Sequence, residues 1–71
     1  MLKLTTNAGK PDSLNFTLLH DGIAVEHWDD CTSVNDFIAD CLDFAIHYDE
    51  ELMISIPASK AISELVKSNS Q

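Results

Sequence analysis

Residues 33–48 read SVNDFIADCLDFAIHY, and the two faces of this stretch decide how the rest of the chain must fold. At 100° per residue, Val34, Phe37, Ile38, Cys41, Leu42 and Ala45 fall on one stripe at amphipathic-helix spacing, with Phe44 and Tyr48 at its edge. Such a stripe needs a surface to pack on. Asp36, Asp40, Asp43 and His47 follow i, i+4, i+7, i+11 on the opposite side, a row of three carboxylates ending in a histidine. Like charges at these spacings cost about 0.2–0.5 kcal/mol per pair, and only Asp36, in the first turn, gains from the helix dipole. The row therefore adds nothing to helix stability. Ser33 is the expected N-cap, with Asp36 at N3 as its capping-box partner.

The surface that can receive the stripe lies immediately upstream. Residues 14–28, LNFTLLHDGIAVEHW, hold two alternating runs separated by Asp21-Gly22, the preferred pair for a two-residue type I′ hairpin turn. Strict alternation from that turn pairs His20 with Ile23, Leu19 with Ala24, Leu18 with Val25, Thr17 with Glu26, Phe16 with His27 and Asn15 with Trp28. Leu14, Phe16, Leu18, Ile23 and Val25 then form the face that meets the helix, and His20 and His27 point the same way. Asn15, Thr17, Leu19, Ala24, Glu26 and Trp28 form a mixed outer face, on which an exposed Trp28 would anchor an interface.

Outside this unit, residues 1–6 alternate with Leu2 and Leu4 on one side and read as a strand, and NAGKPDS at 7–13 reads as a loop. Cys31 falls in the lead-in to the helix. Leu52, Ile54 and Ile56 alternate with Met53 and Ser55 in a fourth strand closed by Pro57, which can also stand at N1 of a last helix carrying Ala58, Ala61, Ile62, Leu65 and Val66. Residues 68–71 are expected to fray. The order is β-β-β-α-β-α, an α+β single domain over residues 1–71 with a four-stranded mixed sheet and both helices on one face.

Seventy-one residues can form one small core and leave little room for a large substrate cleft. The apolar content of 45% with only two glycines and two prolines fits a folded globule, not a disordered acidic tail. No run is long and apolar enough to span a bilayer and no signal-peptide core opens the chain, so the expected compartment is the cytoplasm. Two cysteines are too few for a disulfide framework, and Cys41 lies on the apolar stripe.

Charge is the more informative quantity. The chain holds 12 acidic and 4 basic residues, a net charge of −8, and its four lysines stand near the two ends. Between Pro11 and Ser59 there are 11 carboxylates and no lysine or arginine. That field repels nucleic acid and anionic membranes and attracts basic surfaces. The histidines and cysteines match no zinc spacing, and the DDC and DEE runs lack the ligand pattern of a calcium loop. No glycine loop cradles phosphate, no nucleophile elbow is present, and the acids are not paired in a cleft. No enzyme activity, cofactor or metal is expected.

Between Asp36 and Asp43 the helix rises about 10 Å and carries three charges, close to the one charge per about 3.4 Å of a single DNA strand. In size, acidity and compact α+β plan the chain resembles the small proteins by which phages and mobile elements block host defence, including anti-CRISPR proteins and DNA mimics. The resemblance implies stoichiometric inhibition, in the host cytoplasm, of a larger protein through its basic nucleic-acid-binding surface. The expected contact set is Trp28, Asp29, Asp30, Asp36, Asp40, Asp43, Asp49, Glu50 and Glu51. The β-β-β-α-β order also resembles the partial double-stranded-RNA-binding-like domain of HicB antitoxins, which implies a basic RNase toxin as partner, although no DNA-binding segment follows here. A third reading is a homodimeric interaction module joined through the Trp28 face.

Overall fold

The computed structural model describes residues 1–6 and 14–69, and the loop read at 7–13 and the last two residues lie outside them. Strands β1 (Leu2–Thr6), β2 (Leu14–His20) and β3 (Ile23–Cys31) precede a 3₁₀ turn at Val34–Asp36 and helix α1 (Ile38–Tyr48). Strand β4 (Leu52–Ile54) and helix α2 (Ile56–Asn69) follow, so α2 continues two residues into the tail read as frayed. The four strands form one mixed sheet in the order β3-β2-β1-β4, with β4 parallel to β1 and the other pairs antiparallel. This is the α+β plan, with the strand and helix order read from the sequence.

Register places Leu2 and Leu4 of β1, Leu18 and Phe16 of β2, and Leu52 and Ile54 of β4 on a common face. Both helices cover that face: Phe37 and Cys41 from the α1 region and Ala58, Ala61 and Leu65 from α2 join Leu2, Leu4, Phe16, Leu18 and Cys31 in one core. Phe16 and Phe37 stack at its centre with ring centroids 4.2 Å apart. The two alanines let the backbone of α2 approach the sheet closely, and Ser55 caps that helix by accepting the Ala58 N–H at 3.2 Å.

Four expectations need correction, three of them from the hairpin. Its turn is type I′, with Asp21 and Gly22 both at positive φ (53° and 84°), and the pairs next to it hold. Beyond Leu19 the register shifts, so that Leu18 faces Glu26, Thr17 faces His27 and Phe16 faces Trp28. Val25 is the extra residue of a β-bulge. The shift turns Trp28 onto the core side and His27 onto the outer face, the reverse of their expected placement. Physically the bulge exchanges one irregular backbone position for burial of an indole in place of an imidazole. A second bulge near Asp30, at φ 55°, carries β3 on to Cys31, which is 2% exposed and part of the core, not of a loop. Ile23 keeps its side of the sheet but is 70% exposed at the hairpin tip.

The fourth correction concerns the helix. The capping box of Ser33 and Asp36 forms, but on the 3₁₀ turn, and Phe37 (φ −137°) separates that turn from α1. The buried line running into α1 is Phe37, Cys41, Phe44 and Tyr48, turned by about 60° from the middle of the expected stripe of Val34, Phe37, Ile38, Cys41, Leu42 and Ala45. Two aromatics bury more apolar area than two aliphatics, and Tyr48 also stacks on His20 at 3.9 Å. Leu42 and Ile46 are left outside, 52% and 78% exposed.

Candidate functional site

Most of the acids prove to have local work. Asp21, Asp30 and Asp49 occupy the left-handed backbone region, at φ 53°, 55° and 53°, where aspartate is tolerated better than most side chains. They close the hairpin, the second bulge and the C-terminus of α1. At that helix end the N–H of Asp49 donates to the Ile46 carbonyl and the N–H of Glu50 to the Ala45 carbonyl, a Schellman arrangement. Asp36 accepts the backbone N–H groups of Thr32 and Ser33 at 2.9 and 3.1 Å. Asp40 accepts the Trp28 indole N–H at 3.3 Å, and Asp29 meets His27 Nε2 at 2.6 Å.

Glu50 belongs to a network that ties the hairpin tip to the end of α1. Its Oε2 is 2.9 Å from His20 Nε2, and its Oε1 is 3.1 Å from the Met1 ammonium without a well-aligned hydrogen bond. Asp21 pairs with the same ammonium. Hydrogen bonding to His20 and then the nearby ammonium hold the Glu50 carboxyl below its ordinary range, and the ammonium does the same for Asp21. Asp21 and Glu50 in turn raise the Met1 amine.

The sequence-predicted contact residues therefore do not form one continuous ridge. The indole bond places the Asp40 side of α1 over β3, so the helix has two unlike flanks. The flank facing β3 carries Asp40, Asp43 and His47, with Asp36 in the turn before it, whereas Asp29 meets His27 on the outer face of the sheet. The flank facing β4 carries Leu42 and Ile46, which with Ala45, Asp49, Glu50 and Glu51 line a shallow groove. Trp28 is half-buried against Phe37, ring centroids 6.1 Å apart, and presents its N–H edge to the acidic flank. It is a support for that flank and not an exposed anchor on the opposite face, which removes the basis for a dimer through the Trp28 face.

On the outer face of the sheet, Thr17 Oγ1 lies 2.8 Å from His27 Nδ1, whose other nitrogen meets Asp29. The order hydroxyl, imidazole, carboxylate is that of a nucleophilic triad. Here His27 and Asp29 have side chains 43% and 65% exposed, so water competes for every member, and a triad works in a sheltered site with an oxyanion hole. The chain of bonds staples β2 to β3. Among the described residues, no cluster of three or more His, Cys, Asp or Glu side chains is placed to hold a metal ion.

Both cysteines are free and buried. Burial, with Asp40 and Cys31 nearby, pushes the Cys41 thiol up to about 11, and burial followed by Asp36 raises Cys31. The fold thus favours the neutral thiols. The unfolded chain ionises first as pH rises, so stability is whole below about pH 8.5 and declines as pH climbs from there toward the raised Cys41 value. Accordingly, Ellman's reagent at neutral pH should react with neither thiol until denaturant is added, and with both afterwards. Rapid reaction of either in the native protein would contradict the burial.

Comparison of the chain with known protein families, with curated proteins and with solved structures returns no match. Among the described residues no helix is long and apolar enough to cross a membrane. The fold and the site define a two-layer α+β domain whose main helix is acidic on one flank and apolar on the other.

Proposed function

We propose that this protein is a non-enzymatic inhibitor that binds, through the acidic flank of α1, a basic nucleic-acid-binding surface of a larger protein, as anti-CRISPR proteins and DNA mimics do. The observation that carries the reading is the juxtaposition across α1 and β3. Asp40 and Asp43 lie along one flank of α1, with Trp28 of β3 bonded to Asp40, in a segment of the chain with no lysine or arginine. Such a surface raises association rates with a basic partner and gives binding that weakens steeply with salt. An antitoxin that neutralises a basic RNase would use the same flank, and the β-β-β-α-β order supports that second reading.

The test is affinity capture from a bacterial lysate by the wild type and by a D40N/D43N variant. Asp36 is spared because it caps the fold, and asparagine at 40 can still accept the indole N–H. The expected result is a basic polypeptide held at low salt, displaced by added duplex DNA or RNA, and lost in the variant. An RNase among the captured proteins selects the antitoxin reading. Capture of the same proteins by wild type and variant would show that the acidic flank serves only solubility.

A further inference from the structure

The two edges of the sheet are treated differently. The β3 edge carries two bulges, a left-handed aspartate and the charges of Glu26, Asp29 and Asp30, all devices that discourage another strand from pairing there. The β4 edge has none of these. Its three residues, Leu52, Met53 and Ile54, are apolar, regular and free of proline.

Backbone direction defines what that edge offers. The N–H of Ser55 donates to the Leu4 carbonyl on β1 at 3.0 Å, and alternation turns the N–H and C=O of Met53 the same way. Those of Leu52 and Ile54 therefore point outward, away from β1. Two donors and two acceptors, spaced two residues apart, are a self-matching set. An antiparallel copy with its two-fold axis at Met53 sets Leu52 opposite Ile54 of the other copy, and all four outward groups of each strand pair. Any other two-fold register leaves some of them unpaired.

We infer that the protein is a homodimer built by antiparallel pairing of β4 with β4 of a second copy, giving one continuous eight-stranded sheet with the helices on one face. The side chains agree with the backbone. In this register Leu52 and Ile54 alternate across the junction on the helix side and Met53 meets Met53 of the other copy on the opposite side. Met53 and Ile54 of the strand and Ile56 just after it are 51%, 40% and 73% exposed. Charge agrees as well. Asp49, Glu50 and Glu51 lead into β4, whereas the N-terminus of α2 and Lys60 follow it, so the antiparallel arrangement sets the acidic approach of one copy beside the positive end of α2 in the other. The inference does not depend on the acidic flank having a partner, since that flank lies toward the opposite edge.

Sedimentation and light scattering from micromolar to submillimolar concentration should give twice 7.9 kDa for the wild type. The M53K/I54K variant alters two exposed side chains of β4, so it should keep its circular dichroism while its dissociation constant rises by about 100-fold, roughly tenfold for each lost anchor. In the M53C variant the two cysteines would meet at a non-hydrogen-bonded pair, with Cα atoms about 4.5 Å apart, within disulfide reach. Air oxidation should therefore cross-link it, whereas I23C at the hairpin tip should stay monomeric on a non-reducing gel. A wild type that stays at 7.9 kDa throughout, a lysine variant that dimerises normally, or equal cross-linking of M53C and I23C would each overturn the proposal.

Discussion

Replacing Phe37 by alanine should cost about 3–5 kcal/mol, the range for truncating a buried phenylalanine, and leave the domain largely unfolded at 37 °C. Phe37 is fully buried and stacks on Phe16. It also stands at the break between the 3₁₀ turn and α1, where its N–H donates to the Val34 carbonyl and its own carbonyl accepts from Cys41. Trp28 on its far side is held by its bond to Asp40 and so resists collapsing into the space. A domain of this length has roughly 4–10 kcal/mol of stability at about 0.05–0.15 kcal/mol per residue, so the loss takes a third of the total or more. Urea unfolding followed by circular dichroism, at one protein concentration, measures it. Ile23→Ala at the exposed hairpin tip is the control and should shift stability by no more than about 0.5 kcal/mol. A Phe37→Ala cost below about 1.5 kcal/mol would mean that the helix is held elsewhere.

Why Phe37 rather than Leu42 sits at the centre shows how far the sequence could be read. Periodicity located α1, the hairpin and both outer strands, because apolar residues at helical or alternating spacing have few other ways to be buried. The Asp21-Gly22 turn and the Ser33 cap were also legible, since each depends on local backbone chemistry. What failed was parity carried too far. In β3 the apolar residues stand at 23, 25, 28 and 31, and each step of three coincides with a bulge. The irregular spacing was visible, but strict alternation from the turn overrode it and put Trp28 on the wrong face. The rotation of α1 was not legible in the same way. Two overlapping stripes compete on that helix, and the choice between them depends on His20 offering Tyr48 a stacking partner from another element. The acidic row was legible only in part: Asp40, Asp43 and His47 share α1 whereas Asp36 lies in the turn before it, and a carboxylate that caps a turn and one that only faces water are the same letter in the sequence.

That mixture can be separated by experiment. Asp36→Ala should destabilise the domain by about 1–2 kcal/mol, the usual cost of losing a helix cap, because the backbone N–H groups of Thr32 and Ser33 lose the carboxylate they share. At roughly 4–8 °C per kcal/mol for a domain of this size, the midpoint of thermal unfolding should fall by about 4–16 °C. Asp43→Asn should leave the midpoint unchanged or raise it. Its side chain has no hydrogen-bond partner among those identified for the described residues, and neutralising it relieves a like-charge contact with Asp40 of about 0.2–0.5 kcal/mol. Salt should narrow the gap between Asp43→Asn and the wild type by screening that repulsion, and should leave the short-range loss in Asp36→Ala in place. The two carboxylates lie on the same row of the sequence pattern and differ only in what the fold gives them to bind. Equal losses from both substitutions would show the whole row to be structural. Equal neutrality would mean that the capping box contributes nothing and that all of these acids are available to a partner.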